Sequence, residues 1–338
     1  MPVCKSFTDV PNSPLAKVLM ARASSLLNAG LATSSRNTQA RHVKRFSEFA
    51  QSIHTEPFPA SETVLCLWVA HLSRFIRAAS IKSYLAAVRS EHTDRGLQWM
   101  GASSRITRLL RGVQRSQTNT CGKITRLAMS LKIVRQLSGL LGTSHYHLLL
   151  KAVIWSLLVG MFRIGEIVPS SAGSDRLIRL SEFKWGAAGR CYLITLKRSK
   201  TDVFAKSVTV EVTSSEAVVA MRAFMVSRAS HLASLRLVSA PLFMLQDGAP
   251  LLRRQLLDAL ARLLAAMGID HSVYRALSFR AGGASSLAAC GVPLNDIMRQ
   301  GRWRSSAVLR YIDPLPVPTG RNPLVSLSYN IIHIYIYI

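Results

Sequence analysis

Four short pieces of this 338-residue chain carry the side chains best suited to chemistry: FRIGEI (Phe162–Ile167), RSKTD (Arg198–Asp202), LSFRAGGAS (Leu277–Ser285) and GRWRSSAVLRYI (Gly301–Ile312). They hold Arg163, Glu166, Lys200, Arg280, Trp303 and Tyr311. A guanidinium offers anionic oxygens a fixed fork of donors, and an activated tyrosine hydroxyl is a nucleophile. Such a set suits attack at an anionic centre. Each piece alone has a plain structural reading. An arginine after an apolar helix is a helix-end cation, a lysine in a hairpin turn is solvated, and a tyrosine at a helix end is packing. Their order and spacing along one chain say more than any one of them. Cys4, Cys66, Cys121, Cys191 and Cys290 stand far apart with no CxxC pair, which argues against a zinc site or a disulfide scaffold.

In that order and spacing the chain resembles the tyrosine recombinase (phage integrase) family, and especially the recombinases of DIRS and Crypton mobile elements. The resemblance covers most of residues 35–313 and includes the run PLFMLQDGAPLLRRQLLDALARLLAAMGID. It implies a site-specific recombinase or integrase that cuts and rejoins DNA through a 3′-phosphotyrosyl intermediate. By resemblance Tyr311 is the nucleophile, Arg163 and Arg280 clamp the phosphate, and Glu166 orients its neighbours. Lys200, in an S-K-T context, protonates the leaving oxygen, with Lys197 as its rival three residues earlier. Trp303 takes the position of a family His or Trp, eight residues before Tyr311 where many bacterial members have nine. The resemblance implies no cofactor and no metal, because the arginines and Lys200 supply the positive charge. One position departs from the family's H-x-x-R: Leu277 stands where the histidine belongs, and leucine can neither donate, accept nor carry charge. His271 is six residues too early to replace it. Losing a general acid–base group costs on the order of 10²–10⁴ in rate. An impaired enzyme or a catalytically inactive DNA-binding relic is the consequence to weigh.

The elements that must position these residues are mainly α. Residues 1–33 read as an N-terminal helical extension and 34–115 as an all-helical domain, which the resemblance implies is a DNA-binding domain of the core-binding, SAM-like kind. Residues 116–125 read as a linker, 126–315 as a mixed α+β catalytic domain with a small antiparallel sheet, and 316–338 as a tail, possible disorder included. Helical patterns cover 14–31, a polar break falls at Thr33–Asn37, and Ser61 and Ser80 suit N-caps. In the second half helices are expected over 129–141, 146–160, 215–228, 253–266, 279–290, 293–299 and 304–311. Strands are expected near Leu177–Leu180 and Cys191–Leu196 and at Val208–Val212, where valines alternate with Thr209 and Glu211. Gly282 and Gly283 suit close helix packing. The apolar, alternating end IIHIYIYI is an aggregation-prone strand by composition.

Lys plus Arg number 43 against 17 Asp plus Glu, a net charge of +26. Such an excess calls for a polyanionic partner, nucleic acid first and an anionic membrane surface second. The basic residues fall between core positions throughout, which disfavours the membrane. Double-stranded DNA is the expected partner, met by Arg41, Lys44, Arg45, Lys82 and Arg89 on basic helix faces and by Arg198. The resemblance adds a homo-oligomer, a tetramer on two DNA sites. The N-terminus lacks the apolar run of a signal peptide, so the expected place is with DNA: the nucleus in a eukaryote, otherwise the cytoplasm, and not secretion.

Overall fold

The computed structural model describes residues 13–120, 127–197, 207–235, 240–274 and 277–312. They divide into two units, Met1–Lys123 and Ile124–Ile338.

Among its described residues the first unit has helices and no strand: α1 Pro14–Ala29, α2 Thr33–Ser52, α3 Glu62–Ser73, α4 Ala78–Asp94 and α5 Ser104–Thr120. Helices α2 to α5 enclose a core of Phe46, Leu65, Trp68, Val69, Ile81, Val88, Ile106 and Val113. Ser61 caps α3 as expected, its hydroxyl accepting from the Val64 N–H at 3.3 Å. Three local expectations fail, each for a visible reason. There is no break at Thr33–Asn37: α2 starts at Thr33, and polar side chains suit a first turn whose N–H groups lack helical partners. Ser80 does not cap α4, which begins two residues earlier. The Gln117 carbonyl, reaching in from α5, accepts the Ala78 N–H at 2.9 Å. Gln117 also donates to the Ser73 and Ile76 carbonyls at 3.2 and 2.9 Å. These bonds hold α5 in register to Thr120, so residues 116–120 of the expected linker are helix.

The second unit is built around α7, His145–Val159, which is buried on nearly every side. An all-round apolar helix belongs at the centre of a fold. Against it pack α6 (Leu131–Leu140), α9 (Ser215–Leu235) and α11 (Ser278–Ala289). The remaining α-helices among the described residues are α8 (Ile164–Ile167), α10 (Arg253–Ala266) and α12 (Leu294–Gly301). The sheet is antiparallel in the order β1 (Phe183–Trp185), β2 (Tyr192–Leu196), β3 (Val208–Val212), with Tyr192 opposite Val212 and Leu196 opposite Val208. The Leu177–Leu180 stretch is not a strand. It makes one bridge, Arg179 to Pro241, and then a 3-10 turn in which the Glu182 carboxylate accepts the Arg179 N–H at 2.6 Å. The strand forms just beyond, at β1. Residues 304–311 also differ: Ser306–Arg310 is a 3-10 turn, and Tyr311 follows it.

Helix α11 lies close to α7, and its glycines explain how. A Cβ at Gly282 would overlap the Met129 carbonyl, and one at Gly283 the Leu158 carbonyl. The Met129 N–H donates to the Ser278 carbonyl at 2.9 Å, which fixes the entry of α6 against the start of α11. No helix among the described residues is long and apolar enough to cross a membrane.

Candidate active site

Three turns of the second unit meet at one place: the exit of α7, the start of α11 and the exit of α12. Met161 follows α7 with φ 44°, and Arg302 follows α12 with φ 58°. Left-handed backbone is unfavourable for side chains of this size by about 1–2 kcal/mol per residue. Here each such residue is bound by its surroundings. The Met161 carbonyl accepts from Arg280 Nη1 at 3.1 Å and from Arg302 Nη2 at 3.2 Å.

Arg163 caps α8, and Glu166 lies in that helix's only turn. The Glu166 carboxylate accepts the Arg163 N–H at 2.9 Å and Arg163 Nη1 at 2.6 Å. It also accepts Arg302 Nη2 at 3.0 Å. Glu166 is buried, with 5% of its side chain exposed. Burial alone would raise its pKa, but the Arg302 charge and the hydrogen bonds and charge of Arg163 outweigh it and hold the carboxyl below its usual range. Arg280 is almost fully buried. Its second amino group donates to the Gly301 carbonyl, and its guanidinium lies 4.2 Å from the centre of the Trp303 ring, within cation–π range. Burial, with Arg163 and Arg302 nearby, pushes its pKa down, while Glu166 and Tyr311 pull the other way. A guanidinium stays charged across the physiological range all the same. The Trp303 and Tyr311 rings are 5.6 Å apart. Ser285 on α11 donates to the Tyr311 carbonyl at 2.8 Å and holds that segment in place.

An unbroken chain of contacts therefore runs from Tyr311 through Trp303, Arg280, the Met161 carbonyl, Arg302 and Glu166 to Arg163. Five of the six residues expected in a catalytic role, Tyr311, Trp303, Arg280, Glu166 and Arg163, lie on it. The sixth, Lys200, and Arg198, which was expected to meet DNA, lie outside the described residues. The rival Lys197 is exposed at the end of β2 and ion-paired to buried Glu182. Leu277 is the half-buried N-cap of α11 and gives its helix no side-chain hydrogen bond. No group of His, Cys, Asp or Glu among the described residues is arranged to hold a metal ion.

Arg302 was not among the expected residues, nor was Ser285. Arg302 stands nine residues before Tyr311, the separation of many bacterial members, and that spacing was the available signal. The left-handed turn sends Arg302 inward to Glu166 and leaves its neighbour Trp303 against Arg280. In the first unit Arg41, Lys44 and Arg45 of α2 and Lys82 and Arg89 of α4 are all exposed, on two helices that pack together. Between those helices His42 stacks on Tyr84 at 3.7 Å, and Arg45 donates to the Tyr84 hydroxyl at 2.8 Å.

No protein-family model matches the sequence, and no curated protein matches it. Solved structures do match. The chain is similar to the XerH site-specific recombinase bound to palindromic difH substrate in a post-cleavage complex. Identity is 17% over 88% of this chain and 80% of that one, with a TM-score of 0.59. The pre-cleavage complex of XerH with difH gives 14% identity over 87% and 78%, and a TM-score of 0.56. The Tn1549 transposon integrase with circular-intermediate DNA gives 12% identity over 94% and 96%, and a TM-score of 0.50. The chain has the tyrosine recombinase fold. At 87–94% of the chain, these matches reach into both units. At these identities the likeness is one of fold. The similarity to DIRS and Crypton recombinases stays an expectation from sequence.

Proposed function

We propose that the protein is a DNA strand transferase of the tyrosine recombinase type, encoded by a mobile element. Its substrate is double-stranded DNA, and it acts as a tetramer on two DNA sites. The observation that carries this reading is the contact chain from Tyr311 to Arg163, which joins segments well over a hundred residues apart around three guanidinium groups and one carboxylate. That excess of fixed positive charge suits a phosphodiester, and suits still better the phosphorane-like transition state with its added negative charge.

In the proposed reaction the Tyr311 hydroxyl releases its proton to water and its oxygen bonds to phosphorus as the bond to the 5′ oxygen breaks. Arg163 and Arg280 bind the non-bridging oxygens, and the Trp303 ring N–H adds a donor. Lys200 gives a proton to the leaving 5′ oxygen; the ion pair of Lys197 with Glu182 supports Lys200 over its rival. Arg302 positions Arg163 through Glu166. A 5′ hydroxyl from another strand then attacks the phosphotyrosine and reverses the chemistry. Arg41, Lys44, Arg45, Lys82, Arg89 and Arg198 meet the DNA backbone. XerH and the Tn1549 integrase were solved with DNA substrates, which supports DNA as the partner here and a place beside it in the cell.

A second reading, a DNA-binding relic, is favoured by one observation: Leu277 leaves the tyrosine proton without the family's histidine. Nicked suicide duplexes from the flanks of the source element, resolved on denaturing gels, decide between them. An adduct with the wild-type protein that vanishes in Tyr311→Phe establishes the recombinase. An adduct only in Leu277→His means an intact scaffold silenced at one position. No adduct from either, with salt-sensitive duplex binding kept, establishes the relic.

A further inference from the structure

Helix α5 exposes Arg105, Arg108, Arg111 and Arg115, spaced three, three and four residues apart. At 100° per residue they fall within an arc of about 120°. The opposite side of the helix buries Ile106 and Val113 in the core of the first unit. Among the described residues these four arginines make no ion pair and no hydrogen bond. Helix α5 contains no acidic residue, and neither does the whole stretch between Asp94 and Glu166, which holds 11 lysines and arginines. The basic face of α2 and α4 differs: Glu48 pairs with Lys44 there, and Glu91 with Arg95. The two faces are also carried differently, since α2 packs chiefly on α4 and α5 chiefly on α3.

Unpaired like charges held along one rigid helix repel each other unless an anion lies against them. From Arg105 to Arg115 the helix rises about 15 Å, roughly four phosphate steps along one DNA strand. A bilayer is the poorer fit, because a membrane-surface helix needs a free apolar face and that of α5 is used in the core.

We infer that the α5 arginines form a second phosphate track, so that the helical unit holds two duplex segments: one on the α2–α4 face and another on α5. The inference rests on the proposed DNA binding of the α2–α4 face. Its consequence is that one protomer bridges two duplexes.

The test uses the full chain and two duplexes, one on beads and one fluorescent, with capture of the second through the protein as readout. A variant changing Arg105, Arg108, Arg111 and Arg115 to Gln is compared with one changing the same four to Lys. Each phosphate contact adds about 0.9 to the salt slope of binding. The Gln variant is therefore expected to lose bridging at least about tenfold, to flatten its salt dependence by up to about 3–4, and to keep single-duplex binding at low salt. The Lys variant is expected to bridge like the wild type. Bridging kept by the Gln variant overturns the inference and assigns bridging to protein–protein assembly. Single-duplex binding without bridging in the wild type also overturns it and leaves the proposed DNA binding of the α2–α4 face standing. Loss of bridging in the Lys variant too, at an unchanged far-UV spectrum, refutes a track built on charge. Stripe-dependent binding to phosphatidylserine vesicles without bridging reassigns the face to a membrane. Failure of the wild type to bind any duplex removes the proposed function and this inference together.

Discussion

Arginine does two different jobs in the two units. In the second unit Arg280 is buried, the Arg302 side chain nearly so, and Arg163 is half-buried; the Glu166 carboxylate and the carbonyls of Gly160, Met161 and Gly301 hold their guanidiniums in place without using all of their donors. On α5 of the first unit four arginines are exposed and have no ion pair or hydrogen bond among the described residues. A buried guanidinium has fixed geometry and little water around it, so it distinguishes a transition state from a ground state. An exposed one acts as a replaceable counter-ion, sensitive to salt and indifferent to geometry. Inward arginines should therefore govern stability and chemistry, and outward ones affinity and its salt dependence.

The largest effect expected from this contrast is on Glu166. Glu166→Ala leaves Arg302, with 10% of its side chain exposed, uncompensated inside the protein. Breaking a buried pair by removing one partner costs about 3–5 kcal/mol. Urea unfolding should show that loss in the second unit. A loss below about 1 kcal/mol would mean that water reaches the cluster and that the inward arginines are no different from the outward ones.

Next comes Gln117, a polar side chain turned inward in the first unit. Gln117→Ala removes three hydrogen bonds to the α3–α4 connection. An unsatisfied buried group costs about 1–3 kcal/mol. Hydrogen exchange at the Ala78 amide reads this directly, and unchanged protection there would show that α5 does not order that turn.

The pH dependence is smaller. The Glu166 carboxyl is held below its usual range in the folded protein, so its contribution to stability is complete above its unfolded value of 4.5 and is lost as pH falls below that. Wild type should lose more stability between pH 6 and pH 3.5 than Glu166→Gln does. Equal losses would place the acid sensitivity elsewhere, with Glu216 the first alternative: its carboxyl is brought down to about 2, chiefly by the Arg135 hydrogen bond acting against burial.

Much of this arrangement was legible in the sequence because it rests on local pattern. Alternating valines marked β3, the apolar run marked α7, and Arg163 and Glu166 stand three apart in one turn. What was not legible depends on contacts between distant segments. Gln117 sets where α4 begins from 39 residues away. Arg302 enters the site through a left-handed turn that exchanges the directions of neighbouring side chains, and residue type alone favoured Trp303. The α5 arginines were hidden in a different way: the polar stretch after Arg111 reads as a linker until Gln117 and Val113 are seen to pin it as helix.

The smallest effect on stability is expected where the charge is barest. Arg108 is exposed on α5, without an ion pair among the described residues, and contributes no packing to the core. Arg108→Gln should change unfolding stability by no more than about 0.5 kcal/mol, the usual range for a surface substitution. Relief of repulsion from Arg105 and Arg111 offsets part of any loss at low salt. The same substitution should lower the salt slope of duplex binding by about 0.9, the share of one phosphate contact. A change in stability without a change in slope would mean that Arg108 is a structural residue. The division between inward and outward arginines would then fail at the position where it is simplest to measure.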